Sequence, residues 1–241
     1  MLPVFFLGTP PPTTLSYLRL NQIFFITGTD TGAGKTVLTA LLARFLRDRG
    51  VKVAALKPIC SGGRADARTL RVALDGALTL DEINPWHFRA AIAPVLAAKL
   101  EKKPVGLAAV LAHIRTKRKF FTVTLVEGAG GLLSPLGKDF DSRDLISALR
   151  AIPIIVAPNK LGVVNHLLLT LEALPKNYRA VAKIVLMSPA KPDATTLTNA
   201  QLLGEFFPAG KIFALPWLGK NFALATALKN PRVKRMLGKL L

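Results

Sequence analysis

Nine consecutive residues, Gly28-Thr29-Asp30-Thr31-Gly32-Ala33-Gly34-Lys35-Thr36, follow the apolar run Ile23-Phe24-Phe25-Ile26 and open a helical pattern. Glycine-rich backbone between a strand and a helix curls so that successive N–H groups point at phosphate oxygens. Lys35 is then spaced to reach the β- and γ-phosphates, and the Thr36 hydroxyl to ligate Mg²⁺. Five residues separate Gly28 from Gly34, one more than in the commonest loop of this kind, which marks a variant subclass. A second lysine follows in Lys57-Pro58-Ile59-Cys60-Ser61-Gly62. Pro58 and Gly62 predict a tight loop that holds Lys57 at a strand end, and Ser61 supplies a hydroxyl for a polar substrate group. The chain has only 14 carboxylates against 33 lysines and arginines, so acids inside such turns stand out. Glu127, followed by Gly128-Ala129-Gly130-Gly131, sits where a metal-binding acid of a phosphate-loop enzyme belongs. Asp66, at the start of a helical stretch, serves either as a magnesium ligand or as a carboxylate balancing the helix dipole.

The elements that must position these groups are legible as apolar runs at 23–27, 51–56, 121–126, 152–157, 182–186 and 211–215, most of them separated by amphipathic stretches. The clearest helix spans 36–49, with Val37, Leu38, Leu41, Leu42, Phe45 and Leu46 on one stripe and Gly50 as its stop. Uninterrupted apolar strands alternating with helices predict an α/β fold: a mostly parallel sheet with helices on both faces, of the P-loop NTPase type. Ligands of such folds bind at the carboxyl ends of the strands, where all the motifs above fall. The segment Asn159-Lys160-Leu161-Gly162 after the fourth run adds a helix start whose N–H groups suit an anion such as a carboxylate.

At 241 residues, 51% hydrophobic and with one cysteine, the chain predicts one well-cored domain over 21–241 in a reducing, cytoplasmic compartment. No apolar run is long enough to span a membrane. Residues 1–20 read as a poorly ordered extension or an early start, since Val4-Phe5-Phe6-Leu7 has no basic residue before it and runs into three prolines. The net charge of +19 is spread along the chain, with concentrations at Arg115, Lys117, Arg118 and Lys119 and at Lys229, Arg232, Lys234 and Arg235. No aromatic stacking motif is interleaved with them, so they read as solvated faces rather than a nucleic-acid surface. His87, His113 and His166 have no metal spacing, and Cys60 reads as a small packed thiol.

The ordered set of segments resembles the dethiobiotin synthetase family over residues 22–218. It comprises the phosphate loop, Lys57-Pro58 with Ser61-Gly62, and Asn84-Pro85-Trp86-His87-Phe88 with Ala93-Pro94. It continues with Val126 to Gly131, Lys160-Leu161-Gly162 with Asn165-His166, and Leu215-Pro216-Trp217-Leu218. The resemblance implies that 7,8-diaminopelargonate takes up CO₂ as a carbamate, that the carbamate attacks the γ-phosphate of ATP, and that the second amine closes the ring. It implies nucleotide contacts from Gly32, Ala33, Gly34, Lys35, Thr36, Val37, Asp66, Glu127, Gly128, Ala129 and Gly130, with Pro216, Trp217 and Leu218 along the base. Mg²⁺ would be held by Thr36, Asp66 and Glu127, and Lys35 and Lys57 would be catalytic. Thr31, Lys57 and Ser61 would touch the substrate. Gly162, Val163 and Asn165 would receive its carboxylate from a neighbouring subunit, which makes a homodimer the expected unit. Two departures from the family pattern are Gly32, where an acid is common, and Met187-Ser188, where an Asn-Asp pair reads the base. A partition-type DNA-associated ATPase and a nucleotide-binding regulatory module of the same fold remain the alternatives. Thr29, where partition-type relatives carry a lysine, and the Lys57-Pro58 turn argue against the first.

Overall fold

A computed structural model describes residues 21–241, and the extension expected over 1–20 lies outside the described residues. The described residues form eight strands interspersed with helices: β1 (Gln22–Gly28), β2 (Val53–Leu56), β3 (Ile59–Ser61), β4 (Trp86–Phe88), β5 (Val123–Glu127), β6 (Ile152–Pro158), β7 (Lys183–Met187) and β8 (Ile212–Leu215). Six of them form one sheet in the order β2-β5-β1-β6-β7-β8, with every pairing parallel. The doubly covered parallel α/β architecture expected from the apolar runs is therefore the one observed. β1 lies between β5 and β6, so the loop leaving its carboxyl end is flanked by the carboxyl ends of both neighbours.

The helix after that loop, α1 (Lys35–Arg47), buries Leu38, Leu41, Leu42, Phe45 and Leu46 against the sheet. Each such side chain contributes roughly 1.5–3 kcal/mol relative to exposure. The helix ends at Arg47, and Gly50 takes a left-handed φ of 74° three residues later as the expected stop. No helix among the described residues is long and apolar enough to cross a membrane.

Two boundaries differ from the sequence pattern in ways that matter for the site. The third run is shifted to Val123–Glu127, so Glu127 is the last residue of β5 and its backbone is held in the sheet, opposite Ile26. The tight loop expected over 57–62 is instead a second, two-stranded sheet, in which Ile59–Ser61 runs parallel to Trp86–Phe88. Pro58 lacks an N–H and ends β2, and the three residues after it find partners only because a distant segment comes alongside. A three-residue strand carries too little periodicity to be read in advance.

Candidate active site

Gly34 caps the amino end of α1 at φ 98°, and no side chain caps that end. The first backbone N–H groups of the helix are therefore left to an anion from outside. A side chain at Gly34 would be strained twice, since a Cβ there would also lie 2.8 Å from Cε of Met187, at the tip of β7. Next to it Lys35 is buried, and its Nζ donates to the Asp30 carbonyl at 2.8 Å, curling the loop over its own lysine. Burial, reinforced by the positive charge of Lys57, pulls the Lys35 ammonium down to about 8.

Lys57 leaves the end of β2 and is 3% exposed. Its backbone is fixed on both sides: its N–H donates to Ile83 O at 2.9 Å, and the buried Asn84 amide donates to Lys57 O at 2.8 Å. At the other end Nζ donates to Glu127 Oε1 at 2.7 Å and to Gly128 O at 2.9 Å, and it lies 3.0 Å from Asp66 Oδ2. Burial by itself would lower this ammonium, but Glu127 and then Asp66 outweigh it and raise it above the ordinary lysine value. Lys57 is thus a permanent cation at a fixed point. Thr36 Oγ1 also donates to Glu127 Oε1, at 2.7 Å, while Glu127 Oε2 is buried without a partner.

These groups open on one cavity of about 690 Å³. It gathers Thr31, Gly32, Gly34, Lys35, Thr36 and Val37 from the phosphate loop and α1, Lys57 and Ser61 beside β2 and β3, Asp66 from α2 (Ala65–Ala73), and Glu127, Ala129 and Gly130 from β5 and its turn. Most of the expected site residues therefore meet in space. Ala33 and Gly128 do not line the cavity. Ala33 is buried beneath the loop, and a Cβ on Gly128 would meet the Phe25 ring and the Ser142 hydroxyl at 3.1 Å, so these positions shape the loops from behind. Gly162, Val163 and Asn165, at the start of α7 (Val163–Ala173), and Pro216, Trp217 and Leu218, after β8, also lie outside the lining.

The wall includes groups to which the sequence reading gave no part in the site. Ser134 lines it, and its hydroxyl accepts from Gly131 N–H at 2.8 Å, folding the glycine turn back on itself. Gly130 is needed there because a Cβ would fall 2.2 Å from that hydroxyl. Ala91, Ile92, Ala93 and Pro94 close the far side with Cys60, whose thiol is pushed up by burial. Asn84 stays outside the cavity but joins Lys57, Pro58 and Trp86 through one amide. Its motif was visible in the sequence, its role as a strut for Lys57 was not.

Comparison with known proteins places this geometry in a family. A family model described as an AAA domain matches residues 22–221. The chain is 39% identical over 198 residues to the ATP-dependent dethiobiotin synthetase BioD of Anaeromyxobacter dehalogenans strain 2CP-1, covering 80% of this chain and 89% of that one. It is 36% identical over 216 residues to the protein of that name from Bacillus subtilis, covering 86% and 90%. With its namesake in Thermodesulfovibrio yellowstonii it shares 34% over 235 residues, covering 89% and 98%. Among solved structures it resembles pNOB8 ParA bound to nonspecific DNA, with TM-score 0.56, 13% identity and 91% and 95% coverage. It likewise resembles the MinC:MinD complex of Aquifex aeolicus, with TM-score 0.57, 13% identity and 91% and 93% coverage. Those two likenesses concern the fold alone. With the phosphate loop, the buried Lys57 and Glu127 in one cavity and this identity along most of its length, the chain belongs to the ATP-dependent dethiobiotin synthetase family of P-loop enzymes.

Proposed function

We propose that this chain converts 7,8-diaminopelargonate, CO₂ and ATP to dethiobiotin, ADP and phosphate. The observation that carries the reading is the pair of buried ammonium groups, Lys35 and Lys57, facing one cavity from two different loops. A triphosphate needs one fixed cation, and a second, Lys57, once it exchanges its carboxylate partners Glu127 and Asp66 for a ligand, fits a second anion, here a carbamate, that would otherwise be repelled by the first. One amine of the substrate adds to CO₂ and loses a proton, giving the carbamate beside Lys57 and the Ser61 hydroxyl. The carbamate oxygen then attacks the γ-phosphorus, ADP leaves, and the second amine attacks the activated carbonyl carbon and expels phosphate. Thr31 and Ser61 supply neutral hydrogen bonds on the substrate side of the cavity.

The residues present also suit Mg²⁺. Thr36, Asp66 and Glu127 offer a hydroxyl and two carboxylates, an all-oxygen set, and the unpartnered Glu127 Oε2 has lone pairs to give. Two carboxylates and a hydroxyl leave positions in the ion's shell for nucleotide phosphates. When bound, it would offset phosphate charge as that charge shifts toward the leaving group.

Gly162, Val163 and Asn165 lie outside the chain's own cavity and complete it best from a second copy. Leu161 and Leu169 nearby are 79% and 62% exposed, an apolar surface suited to such a dimer. We read the reaction as cytoplasmic, a compartment in which a lone thiol such as Cys60 stays reduced. The test is ADP release by the purified protein with Mg²⁺, ATP, bicarbonate and the diamine, comparing wild type with Lys57→Ala. Release that needs the diamine, stops with EDTA and is lost in the variant is expected. Release that ignores the diamine or responds to DNA overturns the reading.

A further inference from the structure

At the opposite edge of the sheet from the phosphate loop, the amino ends of β1 and β6 border a second cleft of about 650 Å³. β1 is seven residues long, so the two sites stand about 20 Å apart. Arg115 and Arg118, from the last turn of α5 (Leu107–Arg118), and Arg150, at the end of α6 (Ser142–Leu149), all line it. Among the described residues no carboxylate lines it. Two of the guanidiniums are oriented by main-chain carbonyls: Arg115 donates to Ala148 O at 3.1 Å and Arg118 to Asn21 O at 2.9 Å. The backbone N–H of Arg150 donates to Ser147 O at 3.2 Å, while its guanidinium has no hydrogen bond or ion pair among the described residues. Lys117, another cation of this stretch, is already spent on Glu82.

The balance of charge decides between a solvated face and a site. The carboxyl ends of α5 and α6 each present about half a negative charge, which offsets about one of the three arginines. The twenty residues preceding Asn21 contain no Asp or Glu and so offer no side-chain carboxylate to offset the rest. A backbone observation points the same way. Arg150 holds a left-handed φ of 51°, at a helix end where glycine is the usual occupant. Keeping a long cationic side chain there has a conformational cost that a mere chain reversal would not require.

We propose that this cleft binds a small multivalent phosphate-bearing anion, held by Arg115, Arg118 and Arg150. Arginine forks match phosphate oxygens, and three of them converging on one bounded cleft suit a compact anion better than a long one, which asks for a basic stripe. The reading is independent of the chemistry at the phosphate loop. The probe is inorganic pyrophosphate, titrated calorimetrically into the full chain with the phosphate loop pre-filled by a non-hydrolysable ATP analogue. One pyrophosphate per chain is expected, with affinity falling about tenfold or more in Arg150→Gly and further in Arg115→Gln/Arg118→Gln. Arg150→Gly should melt no lower than wild type, because glycine relieves the left-handed strain, so a loss of binding there is not a loss of fold. Affinity unchanged in both variants, or no binding by wild type below about 1 mM, overturns the proposal. So does a fluorescent duplex DNA that binds through these arginines and is not displaced by pyrophosphate, since the cleft would then serve a nucleic-acid backbone.

Discussion

Replacing Lys57 by methionine keeps the volume of the side chain and removes its charge, which leaves Glu127 buried with the Thr36 hydroxyl as its hydrogen-bond partner and only the more distant charge of Lys35 to offset its own. The side chains of Lys57 and Glu127 are 4% and 0% exposed, so water does little to screen the loss. Breaking a buried pair from one side costs about 3–5 kcal/mol, and the partly exposed Asp66 places this pair near the lower end. For a chain of this size about 3 kcal/mol corresponds to a fall in Tm of roughly 6–12 °C. Glu127→Gln should be destabilising for the mirror reason, since it leaves the Lys57 ammonium facing an amide. The double variant Lys57→Met/Glu127→Gln removes both charges and should recover about 2 kcal/mol relative to the sum of the singles. Urea unfolding followed by far-UV circular dichroism measures all three. A cost below about 1 kcal/mol for Lys57→Met, or strictly additive singles, would refute the claim that this pair is a coupled unit. Diamine-dependent ADP release should be absent in the double variant although its stability returns, which separates holding the loop from doing chemistry.

Three further outcomes follow from the same geometry. Lys35 must be cationic to meet phosphates, and burial leaves it at about 8 in the empty site. Since nucleotide binds the protonated form, ATP affinity should be level below pH 8 and fall about tenfold per unit above it; calorimetry showing a flat profile to about pH 9.5 would contradict this. Gly34→Ala should destabilise by about 2 kcal/mol or more and abolish nucleotide binding. Adding Met187→Ala removes the 2.8 Å contact but not the φ of 98°, so it should restore part of the stability, read by thermal melting, and none of the binding. Asn84→Ala deprives the carbonyls of Lys57, Pro58 and Trp86 of a shared donor and should cost about 2–4 kcal/mol, with a lower kcat at near-normal KM for ATP.

The parts of this protein that depend on neighbours in the chain could be read without a structure. The phosphate loop, the stripe of α1 with its glycine stop, and the apolar runs of the parallel sheet all arise from local periodicity and backbone preference, which act over a few residues. Glu127 and Lys57 were recognisable as site residues because each ends an apolar run, and strand ends are where ligands bind in such folds.

Contacts between distant segments could not be read that way. The Lys57–Glu127 bond joins residues 70 apart, and it exists because β5, not β1, pairs with β2. The β3–β4 sheet and the Asn84 strut likewise depend on which loop packs on which. Arg115 reads in the sequence as part of a solvated basic concentration and Arg150 carries no local signal, because only the tertiary structure brings the ends of α5 and α6 to one corner. Propensity and period are properties of a short stretch of chain and survive in the sequence alone. Burial, charge pairing and the shift of Lys35 belong to the packed sheet, where side chains from distant segments share one cavity.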